Sequence, residues 1–80
     1  MNVDEMAEEL RSMCAKGEHT EEISTMVHLF GVKYARELKG MTIKDLKILA
    51  KKAGRPSSMG SEIHKGRKLS KYVCVKQGVV

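Results

Sequence analysis

Eighty residues are enough for one domain with a modest hydrophobic core, and a 41% hydrophobic content excludes wholesale disorder. Phe30, Tyr34 and Tyr72 are the three aromatic residues, so the core must be built from Leu, Ile, Val, Ala and six methionines. The net charge of +5 conceals an asymmetry: residues 1–30 hold two basic against seven acidic side chains, and residues 31–80 hold thirteen basic against three acidic. Charge segregated in this way favours a polyanionic partner on the C-terminal side, unless the two halves neutralise each other within the fold. Cys14 and Cys74 are too few for a disulfide framework, and no signal peptide precedes them. No stretch approaches the roughly 20 apolar residues of a membrane span. The expectation is a soluble, cytoplasmic protein with no membrane association and both thiols used for packing.

Asn2, with Glu5 three residues on, forms a capping-box pattern, and Met6, Leu10, Met13 and Cys14 recur at helical spacing. These predict a helix over 2–16 with Gly17 as its stop. Thr20 opens a second helix whose apolar face is Ile23, Met26, Val27 and Phe30, with Gly31 ending or bending it. Val32, Ala35 and Leu38 predict a third short helical piece over 32–40. Thr42 and Asp45 form a second capping box, followed by an apolar face of Ile43, Leu46, Leu49 and Ala50 and a polar face rich in lysine. Gly54 ends that helix, and Pro56 with Ser57 and Ser58 starts another over 57–65, anchored by Met59 and Ile63. Gly66 breaks the pattern. Leu69, Tyr72 and Val73 fit a helical turn, whereas residues 72–76 could equally be extended, and residues 77–80 should fray. The fold class is all-α: a compact bundle of four to five short helices in one domain, residues 1–80. Within it, residues 1–40 are acidic N-terminal helices, 42–65 a helix-turn-helix and 66–80 a basic C-terminal segment.

The stretch from Leu49 to Ile63, "LAKKAGRPSSMGSEI", carries the chemistry. Two helices joined by a glycine-initiated turn match a helix-turn-helix. The first must present a small residue where the second crosses it, and Ala50 fills that need. The turn then requires a residue tolerant of positive φ, which Gly54 supplies. Leu49, Ala53 and Ile63 fall where such a unit buries side chains. The stretch resembles the helix-turn-helix DNA-binding domains of the phage-repressor and Cro type. It departs from them at Arg55, where an aliphatic residue is usual, and at Gly60, where a buried Val or Ile is usual. Either Met59 takes over that packing or the turn is one residue longer. The resemblance implies that the second helix lies in the major groove with its first residues at base edges. Carried over, it puts Ser57, Ser58, Ser61 and Lys65 in reach of bases and makes Lys51, Arg55, Arg67 and Lys68 phosphate contacts. The partner so implied is double-stranded DNA, bound by a small transcriptional regulator or the DNA-recognition subunit of a larger assembly. The acidic N-terminal helices would pack behind the motif, or form a homodimer or protein-partner surface.

Other readings are weaker. Gly54-Arg55-Pro56 matches an AT-hook core only in part, because Ala53 stands where that core has arginine. His19, His28, His64, Cys14 and Cys74 lack the spacing of a zinc site, so no metal and no cofactor is expected. The three acidic residues of the basic half are too dispersed for a metal-dependent nuclease, and no thiol–imidazole pair is juxtaposed by sequence, so no enzyme is expected. RNA is the other rival, lowered against duplex DNA by the lack of interleaved aromatics for stacking unpaired bases, and the sequence does not separate DNA from structured RNA. The principal alternative is a helical protein–protein interaction module, for which six methionines would supply an adaptable surface.

Overall fold

Four α-helices make up the regular structure of residues 1–79, the part of the chain described by the computed structural model: α1 Val3–Thr20, α2 Ile23–Lys33, α3 Ile43–Lys52 and α4 Met59–Leu69. No strand occurs among the described residues, and the fold is all-α. Val80 lies outside the described residues, and Gln77–Val79 form a turn, reached through residues 73–76 that are neither helix nor strand.

Both capping boxes form. Asn2 Oδ1 accepts the Glu5 N–H at 2.8 Å and Glu5 Oε1 accepts the Asn2 N–H at 2.9 Å. Thr42 Oγ1 accepts the Asp45 N–H at 3.1 Å and Asp45 Oδ2 accepts the Thr42 N–H at 2.9 Å. The donated hydrogen bonds hold the Asp45 carboxyl below its usual range. A cap of this kind contributes about 1 kcal/mol to its helix.

Glycine behaves differently from its sequence-level reading in three places. Gly17 does not stop α1, which continues to Thr20. It lies instead where α2 turns back, and a Cβ there would sit 2.9 Å from Ile23 Cα and from the Glu22 carbonyl oxygen. The stop is Glu21, in the left-handed region at φ 58°, with the Glu22 N–H donating to Gly17 O at 2.7 Å. Gly31 does not end α2, and Gly66 does not break α4. These two glycines are where α2 and α4 cross, main chain against main chain. A Cβ on Gly31 would fall 2.4 Å from Ile63 O, and one on Gly66 would fall 2.2 Å from His28 O. Packing compensates for the poor helix propensity of glycine, and α2–α4 is the most extensive helix pair.

The helix expected over 32–40 is absent. Val32 and Lys33 finish α2, and residues 34–40 form turns. Tertiary contacts fix this segment instead: Leu38 plugs the core, Tyr34 Oη donates to Glu9 Oε2 of α1 at 2.9 Å, and Arg67 of α4 donates to the carbonyls of Leu38 and Met41, both at 2.8 Å. Burial, then the bond to Glu9, pushes the Tyr34 phenol up to about 12.

The core is continuous, with Leu10, Cys14, Val27, Phe30, Leu38, Leu46, Leu49 and Ile63 fully buried. Phe30 stacks obliquely on Tyr34, ring centroids 5.1 Å apart. Burial of each large side chain contributes about 1.5–3 kcal/mol. Cys14 is buried, but Cys74 is exposed and does not pack as expected.

Candidate nucleic-acid interface

α3, the turn after it and α4 form the helix-turn-helix unit. α3 ends in a Schellman arrangement: the Gly54 N–H donates to Lys51 O at 2.9 Å and the Arg55 N–H to Ala50 O at 3.0 Å. Gly54 has φ 79°, the positive value that the turn requires. The chain re-enters helix through tight turns, Met59 N–H to Pro56 O at 3.0 Å and Gly60 N–H to Ser57 O at 2.9 Å, so α4 proper starts at Met59 rather than Ser57.

The crossing of α3 and α4 explains the departure at residue 60. Gly60 is buried against the main chain of Lys47, where a Cβ would lie 2.7 Å from Lys47 N and 2.9 Å from its Cα. Ala50 is fully buried, yet this close approach is set by Gly60 over Lys47, on the second helix rather than the first. Valine or isoleucine could not occupy that position in this geometry, and Met59 is half-buried against the core.

Ser57, Ser58, Ser61 and Lys65, the four residues assigned to bases, are all exposed. Ser58 makes no capping bond with its side chain, and among the described residues the hydroxyls of Ser57 and Ser61 make no hydrogen bond either. Lys65 pairs loosely with Glu62 on its own helix, at 3.3 Å. Ser61, Lys65 and Lys68 are spaced four and three apart, which places them in one outward stripe of α4, opposite buried Gly60, Ile63 and Gly66.

The four residues assigned to phosphate divide into two pairs. Lys51 and Lys68 are exposed and make no ion pair among the described residues. Arg55 instead folds back onto α1, its guanidinium 2.6 Å from Glu18 Oε1 and its side chain only 20% exposed. This bond raises the Arg55 pKa, and the same guanidinium partly offsets the upward push of burial on the Cys14 thiol. Arg55 thus packs inward where the resembled family keeps an aliphatic residue, and Gly54-Arg55-Pro56 is not a free arm. Arg67 is half-buried, held by the two carbonyls of the 34–41 segment and by His64 Nδ1 at 2.7 Å.

The acidic helix α1 lies against α3. Asp4 pairs with Lys52 Nζ at 3.2 Å, Arg11 donates to the carbonyl of Lys52 at 2.8 Å, and Glu18 holds Arg55. Part of the basic charge is therefore neutralised internally. What makes no ion pair on the motif, among the described residues, is Lys44, Lys47 and Lys51 along α3 and Lys68 along α4, with Lys65 exposed but loosely paired to Glu62. In the sequence Lys47 is one lysine among several on the polar face of α3. Its place beside the first turn of α4 follows from the Gly60 contact, which only an unexpected glycine at a usually bulky position could have signalled.

His28 Nε2 lies 3.0 Å from Glu62 Oε2 across the α2–α4 crossing, and that bond, with help from Lys65, holds the Glu62 carboxyl low. Among the described residues no group of three His, Cys, Asp or Glu side chains could hold a metal ion, and no helix is long and apolar enough to cross a membrane. No curated protein and no solved structure matches the chain significantly. Residues 2–76 match the HTH-like (helix-turn-helix-like) domain family, and the chain belongs to that family, a broader assignment than the phage-repressor and Cro type that its turn resembles.

Proposed function

We propose that this domain binds double-stranded DNA through α3 and α4, as a small transcriptional regulator or as the DNA-recognition part of a larger assembly. The observation that carries the reading is the outward stripe Ser61, Lys65 and Lys68 on α4, continued at its start by the uncommitted hydroxyls of Ser57 and Ser58. Small hydroxyl side chains let a helix sit deep in a major groove, and Lys65 can reach guanine. Lys47 and Lys51 beside that stripe, and Lys68 at its far end, serve as phosphate contacts, which orient the domain without reading sequence. Arg55 and Arg67 hold the motif together from behind rather than touching DNA.

With three phosphates neutralised, the logarithm of affinity for a short duplex should fall with the logarithm of salt concentration at a slope of about −3. Lys68→Ala should weaken all duplexes alike and flatten the slope by about one unit, whereas Ser58→Ala or Ser61→Ala should change preference among sequences. Fluorescence anisotropy across a salt series measures both. Affinity indifferent to salt refutes the reading. A protein-docking role has one observation in its favour, an apolar recess of about 310 Å³ bordered by Val3, Met6, Met41 and Ile48 and rimmed by Glu37 and Asp45. NMR shifts on adding duplex at low salt discriminate the two, since DNA binding requires them at residues 47–68.

A further inference from the structure

We propose that the C-terminal end of α4 seats one unpaired nucleotide beside the duplex face, so that the preferred substrate is a duplex with a single-stranded flank. The inference rests on the duplex reading above and adds a substrate class to it. Five residues form the seat: His28 from α2, Lys65, Lys68 and Leu69 from α4, and Tyr72 from the turn that follows, enclosing a shallow recess of about 330 Å³ with an almost wholly apolar wall. Tyr72 is 82% exposed and Leu69 44% exposed, an aromatic and an aliphatic surface left open to water in the most basic part of the chain.

The turn does not carry Tyr72 away from the helix. The Tyr72 N–H donates to Leu69 O at 2.9 Å and the Val73 N–H to the same carbonyl at 3.1 Å, so the backbone keeps a helical course for one more turn. Lys65, Lys68, Leu69 and Tyr72 are spaced three, one and three apart and stay on one face, in line with Ser61. The ring therefore lies one turn past the end of the stripe proposed to meet the duplex, beside that surface and not within it.

The chemistry of the recess selects its occupant. A flat ring with an aliphatic neighbour suits the π-face of a base, whatever its identity, and the ammonium of Lys68, which makes no ion pair among the described residues, suits the phosphate attached to it. The nearest carboxylate, Glu62, is already engaged by His28 at 3.0 Å and Lys65 at 3.3 Å, so the site offers no free negative charge to a basic peptide. Its size suits one base. Phe30 is buried and Tyr34 is bonded to Glu9, so no second exposed ring lies among the described residues to stack a run of bases. One platform at the end of a duplex-facing helix fits a junction, not a single-strand track.

The test compares anisotropy titrations of a blunt duplex, the same duplex extended by a few unpaired nucleotides at either end, and the single strand alone. The chain is used as it stands and as Tyr72→Ala and Tyr72→Phe, with circular dichroism confirming that both variants fold. An extension at one end should tighten binding roughly ten-fold. Tyr72→Ala should abolish that gain and leave blunt-duplex affinity unchanged, while Tyr72→Phe keeps it, because stacking needs the ring and not the hydroxyl. A 2-aminopurine in the extension should be quenched by the parent and not by Tyr72→Ala. Equal affinity for blunt and extended duplexes, at the expected salt slope, removes the seat and leaves the duplex reading standing. Binding of single strand as tight as the junction overturns the duplex reading, and no DNA binding of any kind overturns both.

Discussion

Gly66→Ala should destabilise this protein even though it replaces the poorer helix former in the middle of a helix. In an isolated helix the change would gain about 0.8–1.0 kcal/mol. Here the new Cβ would be placed 2.2 Å from the carbonyl oxygen of His28. Carbon and carbonyl oxygen meet no closer than about 3.3 Å in ordinary packing, so α2 and α4 must part by about 1 Å. Overpacking costs about 1–3 kcal/mol. The obstacle here is main chain in a helix, which cannot rotate aside, so the upper end applies and about 2 kcal/mol of net destabilisation remains. In a domain of this size that lowers the melting temperature by roughly 10 °C. Thermal unfolding followed by circular dichroism at 222 nm reads it directly. Gly31→Ala, whose Cβ would fall 2.4 Å from Ile63 O, should act in the same way. The double variant should cost less than the sum, because one displacement of α4 relieves both clashes. Ser61→Ala, exposed on the same helix, is the control and should stabilise by a few tenths of a kcal/mol. A Gly66→Ala protein as stable as its parent, or more so, would refute the close crossing and with it the placement of α4.

Arg67→Met keeps the aliphatic stem but loses the bonds to Leu38 O, Met41 O and His64, and should cost about 2 kcal/mol in urea unfolding while leaving the salt slope of DNA binding unchanged. A flattened slope with unchanged stability would make Arg67 a phosphate contact instead. Glu21→Gly relieves a side chain in the left-handed region at φ 58° and should raise stability by about 0.5–1 kcal/mol, so a lower urea midpoint would mean that the Glu21 side chain contributes a contact of its own. Stability should also fall on mild acidification. Burial, and then the charges of Arg67 and Lys68, lower the His64 pKa below its ordinary 6.5, so as pH drops through 6.5 the unfolded chain takes up the proton first and the folded state loses ground. His64→Gln should flatten urea midpoints measured between pH 7.5 and 5.5, and an equally steep profile would assign the dependence to another group.

The elements of this protein are written locally and their crossings are not. Asn2 with Glu5 and Thr42 with Asp45 specify two helix starts through bonds spanning three residues, and both form. The apolar spacing of α1 and α3 identifies the buried stripes Met6–Leu10–Met13–Cys14 and Leu46–Leu49–Ala50 for the same reason, since neighbours on a helix face are three or four residues apart. Gly54 and its turn were legible because only glycine readily adopts the required φ. Gly17, Gly31, Gly60 and Gly66 were not legible as packing residues, because a missing side chain carries no local sign of what lies against it. A helix stop and a helix crossing both call for glycine, and only the partner main chain distinguishes them. The same limit applies to the cations of the motif. Lys51 and Arg55 look alike as charges in sequence, yet Glu18, 37 residues before Arg55, draws it inward while Lys51 remains outside. Whether a basic residue faces solvent or serves the fold depends on contacts distant in the chain, so tertiary structure alone divided the candidate phosphate contacts and brought Tyr72 into line with the stripe of α4.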